Sequence, residues 1–400
     1  MWTIKYLKNT IQNYDWGSLT AIPDLLGKQN SSRTPMAELW MGAHPKAPSL
    51  VNCQGQWQPL TKLIAEYPQD ILGNTVASSF DNQLPYLFKV LAAAKPLSIQ
   101  AHPSLDQARE GFAKEIAMGI AMDAPDRNYK DANHKPECIC ALSQFWALSG
   151  FRDIPDIIDL VGKSCPVGLA PELAALNNQP DAVGLKRFFT DLMTMNFDRK
   201  RQVVAEAIRT ADLLADQELA FSWVKRLSVV YSDDIGIFSP LLLNLVELNP
   251  GEALFLPAGE LHAYLKGVGL ELMANSDNVL RGGLTPKHVD VPELLNVLNF
   301  KPRTIQILEA IKKTQNESVY ASKADEFVLS MITIANGIPY QSSESRGVEI
   351  MLCTQGSASL MDIGSGEMIS IKRGDSVIVP AAVTGYTATG EARIYKASVP

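Results

Sequence analysis

No apolar run in the sequence approaches the roughly 18 residues that a membrane-spanning helix needs, so no membrane partner is expected. Cysteine is scarce: there are five in 400 residues, an odd number, with no CxxC pair. That excludes a thiolate zinc knuckle and argues against a disulfide framework. It reads as reduced thiols, mostly buried as small hydrophobes, in a cytoplasmic protein. The nearest two, Cys138 and Cys140, alternate with Glu137 and Ile139 as residues on one strand face do. Positive charge is in deficit, and a net charge of −7 argues against nucleic acid, whose phosphates need a basic surface. One phosphate on a metabolite stays within reach of a few local Lys or Arg side chains. The opening Met1-Trp2-Thr3-Ile4-Lys5 lacks the apolar region of a secretory signal. No GxGxxG stands at a strand-to-helix turn to hold a nicotinamide cofactor, and no low-complexity linker appears.

Three compositional zones are present. Residues 1–150 carry short apolar runs broken by Gly, Pro and Asn, such as Leu84–Leu91 and Leu97–His102, which is the punctuation of strands. One helix is predicted there, over Leu105–Met122, with Pro103 where it would begin. From 151 to 234, stripes such as Ile154, Ile157, Ile158 and Val161, or Phe188, Phe189, Leu192 and Met193, fall at helical spacing and read as core. Strands return from 235, with a short helix predicted over Pro292–Leu298, and continue from 320 to 400.

A short repeat suggests the architecture. Gly251-Glu-Ala-Leu-Phe-Leu-Pro257 parallels Gly374-Asp-Ser-Val-Ile-Val-Pro380. Each has a Gly, an acidic residue, a mostly apolar strand and a Pro that ends it. The first copy continues to Gly259 and His262, and this pattern resembles the second signature of cupins, which are jelly-roll barrels. The second copy has Gly385 where the first has His262. The expected fold is therefore mainly β with an α-helical insert, as two cupin-like jelly-roll barrels plus a helical domain. Residues 1–150 and 235–319 would form the catalytic barrel, 151–234 the insert, and 320–400 a metal-free barrel.

Strand parity gathers a metal-binding set. In Ser98-Ile-Gln-Ala-His102 the two-residue period puts Ser98, Gln100 and His102 on one face, and in Lys135-Pro-Glu137 it puts Lys135 beside Glu137. With His262 this gives two imidazoles, a carboxylate and an amide oxygen. Such donors suit one Zn²⁺ with room for water or substrate, and the lack of thiolates points to a catalytic site. Of the five histidines, His44 and His288 have no such context and are read as structural.

Seven ordered segments then match a family. Tyr14–Ser18, Ala37–Gly42, Leu97–Pro103, Asn133–Glu137, Asp234–Phe238, Pro257–Tyr264 and Ala274–Lys287 together resemble type I mannose-6-phosphate isomerases, from about residue 4 to the end of the chain. The resemblance implies zinc ligands at Gln100, His102, Glu137 and His262, and a catalytic arginine at Arg281. Lys135, His134 and Asp277 match positions proposed to assist proton transfer or ring opening. The implied reaction interconverts mannose 6-phosphate and fructose 6-phosphate through an enediol, and its oxyanion needs a Lewis acid or a fixed cation.

Individual roles stay open at this level. Lys135 is either the base or a charged anchor, Asp277 relays protons or orients Arg281, and His134 opens the ring or caps its turn. Glu271 supports the ligands or lies on the surface. Ser98, Lys95 and Lys287 are candidates for the phosphate, and Trp16 either walls the sugar pocket or belongs to the core. Two rival readings use the same donors, an iron-dependent cupin dioxygenase and a non-catalytic sugar-binding cupin. A monomer is expected.

Overall fold

A computed structural model describes residues 2–53, 55–335 and 337–400; Met1, where the first predicted domain begins, lies outside them. The described strands form two antiparallel sheets of eleven strands each, and helices gather between residues 154 and 230. The chain is mainly β with a helical insertion.

The first sheet is built around Tyr86–Ala93 and His262–Ala274, paired from Tyr86 opposite Ala274 to Ala93 opposite Gly267. Every residue of Tyr86–Ala93 is buried. With both faces covered, the strand reads as an apolar run instead of an alternation, and Lys89 is its one charge. Glu137–Ala141 lies on the other side of His262–Ala274. The short Ile99–Ala101 meets the His262 end and carries Leu280–Gly283 beyond it.

The strands that flank the insert, Phe145–Phe151 and Leu243–Leu248, pair with each other, with Leu243 opposite Phe151. Entry and exit are thus adjacent, and the pairing is irregular only between Leu243 and Asn244, where the insert rejoins the sheet. Five helices follow: Ile154–Ser164, Ala170–Asn178, Ala182–Met193, Phe197–Leu214 and Leu219–Val230. The Asp181 and Asn196 side chains start two of them by accepting from first-turn backbone N–H groups. Ile157, Val161, Phe188 and Val203 share one core with Phe151 and Leu243 of the sheet. At about 1.5–3 kcal/mol for each large side chain buried, packing rather than helix propensity holds the insert.

Several elements differ from expectation. The helix after His102 spans Leu105–Ala117, started by a Ser104–Gln107 capping box, and stops short of Met122 because Gly119 turns the chain at φ +71°. The later short helix is Val291–Val297. Ala21–Leu26, Leu60–Glu66, Pro68–Leu72 and Asn74–Ser79 are helices in a region read as strands with a single helical break. None exceeds seven residues, too short to show a repeating stripe.

The strands also cut across the predicted boundaries. Lys5–Lys8 pairs with Ser376–Val379, and Leu50–Cys53 and Gln56–Pro59 extend that second sheet. Glu317–Tyr320 joins it through Val328–Ile334. Ser376–Val379 is buried along its whole length; without Lys5–Lys8 it would be an apolar edge with open backbone groups.

Candidate metal centre and active site

Gln100 sets the register of the site. It lies opposite His262 on one side and opposite Arg281 on the other, and His262 is in turn opposite Ser149. Directly opposed residues project to one face, so Ser149, His262, Gln100 and Arg281 make a row across four strands. Ser98 and His102 flank the three-residue strand and are not part of it. Glu137 begins the neighbouring Glu137–Ala141. His102, Glu137 and His262 are at most 1 % exposed, and each offers a donor atom within 4.8 Å of the others'.

Backbone carbonyls fix both tautomers. His102 Nδ1 lies 2.7 Å from the Asn278 carbonyl, and His262 Nδ1 lies 2.9 Å from that of Glu260. A carbonyl can only accept, so each Nδ1 carries the proton and each Nε2 presents a lone pair. The lone pairs face Glu137, with His102 Nε2 3.1 Å from Oε1 and His262 Nε2 3.3 Å from Oε2. Lone pairs set against a carboxylate repel unless a cation lies among them. Both Nε2 atoms and Glu137 Oε1 are buried without a hydrogen-bond partner, an arrangement a folded protein rarely leaves uncompensated. At His102 protonation does not relieve it, because burial, reinforced by the Lys135 charge, pushes that pKa down to about 4. Burial alone would raise the Glu137 pKa, but the neighbouring charges, Lys135 foremost, hold it well below the usual carboxylate range. Two neutral imidazoles, an ionised carboxylate and an amide in register fit one divalent ion, and the carbonyls behind the rings are the usual support for such ligands.

Lys135 Nζ stands 2.9 Å from Glu137 Oε1, an ion pair outside hydrogen-bond geometry. Tyr264 donates its hydroxyl to Oε2 at 3.4 Å. Lys89, which sequence reasoning missed, donates to Glu271 Oε2 at 2.8 Å, lies 3.5 Å from Glu38 Oε1, and sits 5.3 Å over the Trp40 ring. Burial works against its charge, yet Glu271 and Glu38 hold its pKa well above the ordinary lysine value. The sequence shows only that Lys89 is the lone charge in an apolar run; that Glu271 falls directly opposite it is seen in the fold. Glu271 is therefore no surface residue.

The remaining predicted residues separate. Arg281 is half-buried, which lowers its pKa, and it has no carboxylate partner among the described residues; the arginine ion pairs are those of Arg127, Arg199, Arg303 and Arg346. Asp277 does not orient it. Asp277 instead lies 2.8 Å from Lys46 Nζ and 3.4 Å from His44 Nε2, and these partners overcome burial to hold its carboxyl well below the usual range. His44 is packed edge-on to Trp40 at 4.8 Å, which suits its structural reading. His134 is bound through its ring Nε2 to Glu326. The pKa of Lys287 is lowered by burial and then by Arg281. Lys130, also missed, is lowered mainly by burial and feels Arg281 as well. Arg281 thus acts on both lysines, although the Lys130 ammonium is itself turned to the Ala124 carbonyl at 2.9 Å. Lys95 is exposed and Ser98 partly buried. Trp16 stacks on Tyr14 at 5.7 Å and packs against the cluster that holds Ile139 and Tyr264, which is its core reading.

Fold and centre together define a class: a mainly β protein with a helical insertion, whose two buried histidines and buried glutamate could hold a cation. Known proteins make the class specific. Residues 4–154 match the type I phosphomannose isomerase catalytic domain, and residues 169–243 match that family's helical insertion domain. The mannose-6-phosphate isomerase of Escherichia coli K12 is 43% identical over 391 residues, covering 97% of each chain. The human mannose-6-phosphate isomerase is 33% identical over 407 residues, covering 94% of this chain and 93% of its own. A mutant phosphomannose isomerase from Salmonella typhimurium has a similar structure, at TM-score 0.92 and 39% identity over 99% of both chains. A zinc-bound mannose 6-phosphate isomerase reaches TM-score 0.91 with the same identity and coverage. The chain belongs to the type I phosphomannose isomerase family. That membership displaces the dioxygenase and pure-binding readings.

Proposed function

We propose that this chain interconverts D-mannose 6-phosphate and D-fructose 6-phosphate through an enediol, with one Zn²⁺ per chain. The observation that carries this is the pair of buried Nε2 lone pairs turned onto the Glu137 carboxylate, with unpaired Arg281 in the same strand row. His102, Glu137 and His262 would hold the ion, joined by Gln100. When bound, zinc supplies a Lewis acid that polarises a sugar oxygen without redox change.

The chain's own residues supply the rest. The Arg281 guanidinium, which has no carboxylate partner among the described residues, stabilises the oxyanion that develops when a proton leaves the carbon next to the carbonyl. Lys135, beside Glu137, is placed to carry that proton between adjacent carbons. Lys287 and Lys130 receive the phosphate, with Ser98 at the strand end as a hydroxyl donor. Lys89, locked between Glu271 and Glu38, keeps the floor of the site charged and rigid. Asp277 fixes Lys46 and His44. His134 takes no proton-transfer role in this scheme.

The strands Ala253–Leu256 and Ser376–Val379, which carry the two repeat copies, support reading the sheets as two cupin-like jelly rolls. No helix among the described residues is long and apolar enough to cross a membrane, and the cysteines are unpaired; we read the chain as a cytoplasmic monomer. The test is an assay coupled to fructose 6-phosphate production, run on zinc-loaded and chelated protein. Turnover should vanish on chelation and return with zinc. A zinc-loaded preparation that makes no fructose 6-phosphate overturns the proposal.

A further inference from the structure

A cavity of about 540 Å³ opens where the two sheets meet. Ala141 and Val268 of the first sheet line one wall, and Thr354, Gly356, Arg373 and Arg393 of the second line the other. No Asp or Glu lines it. In a chain of net charge −7, a lining with two arginines and no acid is a local inversion of sign. Neither arginine belongs to an ion pair among the described residues; the four that do are elsewhere. The Arg393 Nε is inaccessible to solvent and has no hydrogen-bond partner. That nitrogen is covered by protein, so an acceptor in the cavity is met by the remaining guanidinium N–H groups of Arg393 and by Arg373. The backbone is shaped for the purpose as well. Arg393 lies opposite Gln355 at a register irregularity that begins at Cys353, and Gly356 follows at φ +67°; bulges of this kind re-aim side chains at sites.

We propose that this cleft binds a phosphate-bearing small molecule, with its phosphate between Arg373 and Arg393 and its body along the apolar side formed by Leu25 and Val268. Two guanidinium forks match a phosphate dianion in charge and in hydrogen-bond geometry. The volume leaves room for more than the phosphate. The cleft is distinct from the metal centre. Ala141 closes the strand that Glu137 opens, and Val268 lies six residues beyond His262 on the other, which sets the two places roughly 13–20 Å apart along the strands.

The test titrates the zinc-loaded enzyme with inorganic phosphate, followed by calorimetry and ³¹P NMR. It starts from Arg281→Ala/Lys287→Ala/Lys130→Ala protein, to weaken anion binding at the proposed substrate site. That protein should still bind phosphate at one site. Adding Arg373→Ser and Arg393→Ser should weaken the binding at least tenfold, and the same pair in an otherwise unaltered chain should leave kcat/KM for mannose 6-phosphate within twofold. Arg373 is exposed, so Arg373→Ser alone leaves folding out of question and should weaken phosphate at least threefold. Phosphate binding that is absent from the starting protein, or unmoved by Arg373→Ser, overturns the proposal.

Discussion

His262 and Arg281 share a strand row through Gln100, yet their removal should fail in different ways. His262→Ala takes one of two lone pairs from the cation and should lower zinc stoichiometry and turnover together, as metal analysis beside the coupled assay would show. Arg281→Ala leaves the donors intact and should keep full zinc while losing at least about a hundredfold in kcat, the scale of one oxyanion donor. Full zinc in the first variant, or near-normal kcat in the second, would remove that residue from its role. Lys135→Met distinguishes base from anchor: a fall in kcat at constant KM supports proton transfer, whereas a raised KM at constant kcat makes Lys135 an anchor. Asp277 gives a pH signature of another kind. Its folded carboxyl lies below the ordinary value, so its stabilisation is complete above the carboxylate range and is lost only as pH falls through the lower folded value. Asp277→Asn should therefore reduce Tm by a similar few degrees at pH 7 and pH 5, and by less in strong acid. A deficit absent at both pH 7 and pH 5 would place the carboxyl at its ordinary value.

At the scale of the element, each sheet buries a lysine between two glutamates. Lys89 has Glu271 and Glu38; Lys396 has Glu317 at 2.8 Å and Glu349 at 3.3 Å, with the Tyr340 hydroxyl at 3.3 Å. Taking away the cation leaves two buried carboxylates facing each other, and breaking such a group costs about 3–5 kcal/mol. Lys396→Met should lower denaturant stability by that amount while zinc content stays normal, because the proposed metal ligands all lie on the other sheet. A loss below 1 kcal/mol would mean the glutamates find other partners. These networks also mark the limit of what the sequence shows. The His102, Glu137 and His262 cluster was legible because short local motifs carry each of its members. The insert was legible because its stripes run over several turns. The four short helices were not, since one or two turns leave no period. Lys89 was missed because a buried charge is recognisable only with its cross-strand partner, which lies far away in sequence.

At the scale of the molecule, the two sheets are interleaved more than the sequence suggested. Lys5–Lys8 bridges Ser376–Val379 and Leu50–Cys53. The Tyr320 hydroxyl donates to the Gly251 carbonyl at 2.8 Å, the Tyr86 hydroxyl to that of Ala397 at 3.1 Å, and His134 is tied to Glu326. Every residue proposed to touch metal or sugar precedes position 288, so a chain ending at 319 contains the whole chemical site. It should nevertheless fail. Lys5–Lys8 would lose its strand partner beyond 319, and buried side chains such as Tyr86 and Leu7, which share one core with Ile350 and Ile378, would face water. At about 25 cal/mol per Å² of apolar surface, exposing even a few hundred Å² removes as much free energy as a typical domain has to spare. The 1–319 chain should therefore be insoluble or unfolded by circular dichroism, and should bind no zinc. A soluble 1–319 chain with native zinc content would show that the sheets fold apart, and that residues 320–400 are an addition to the catalytic unit and not part of its core.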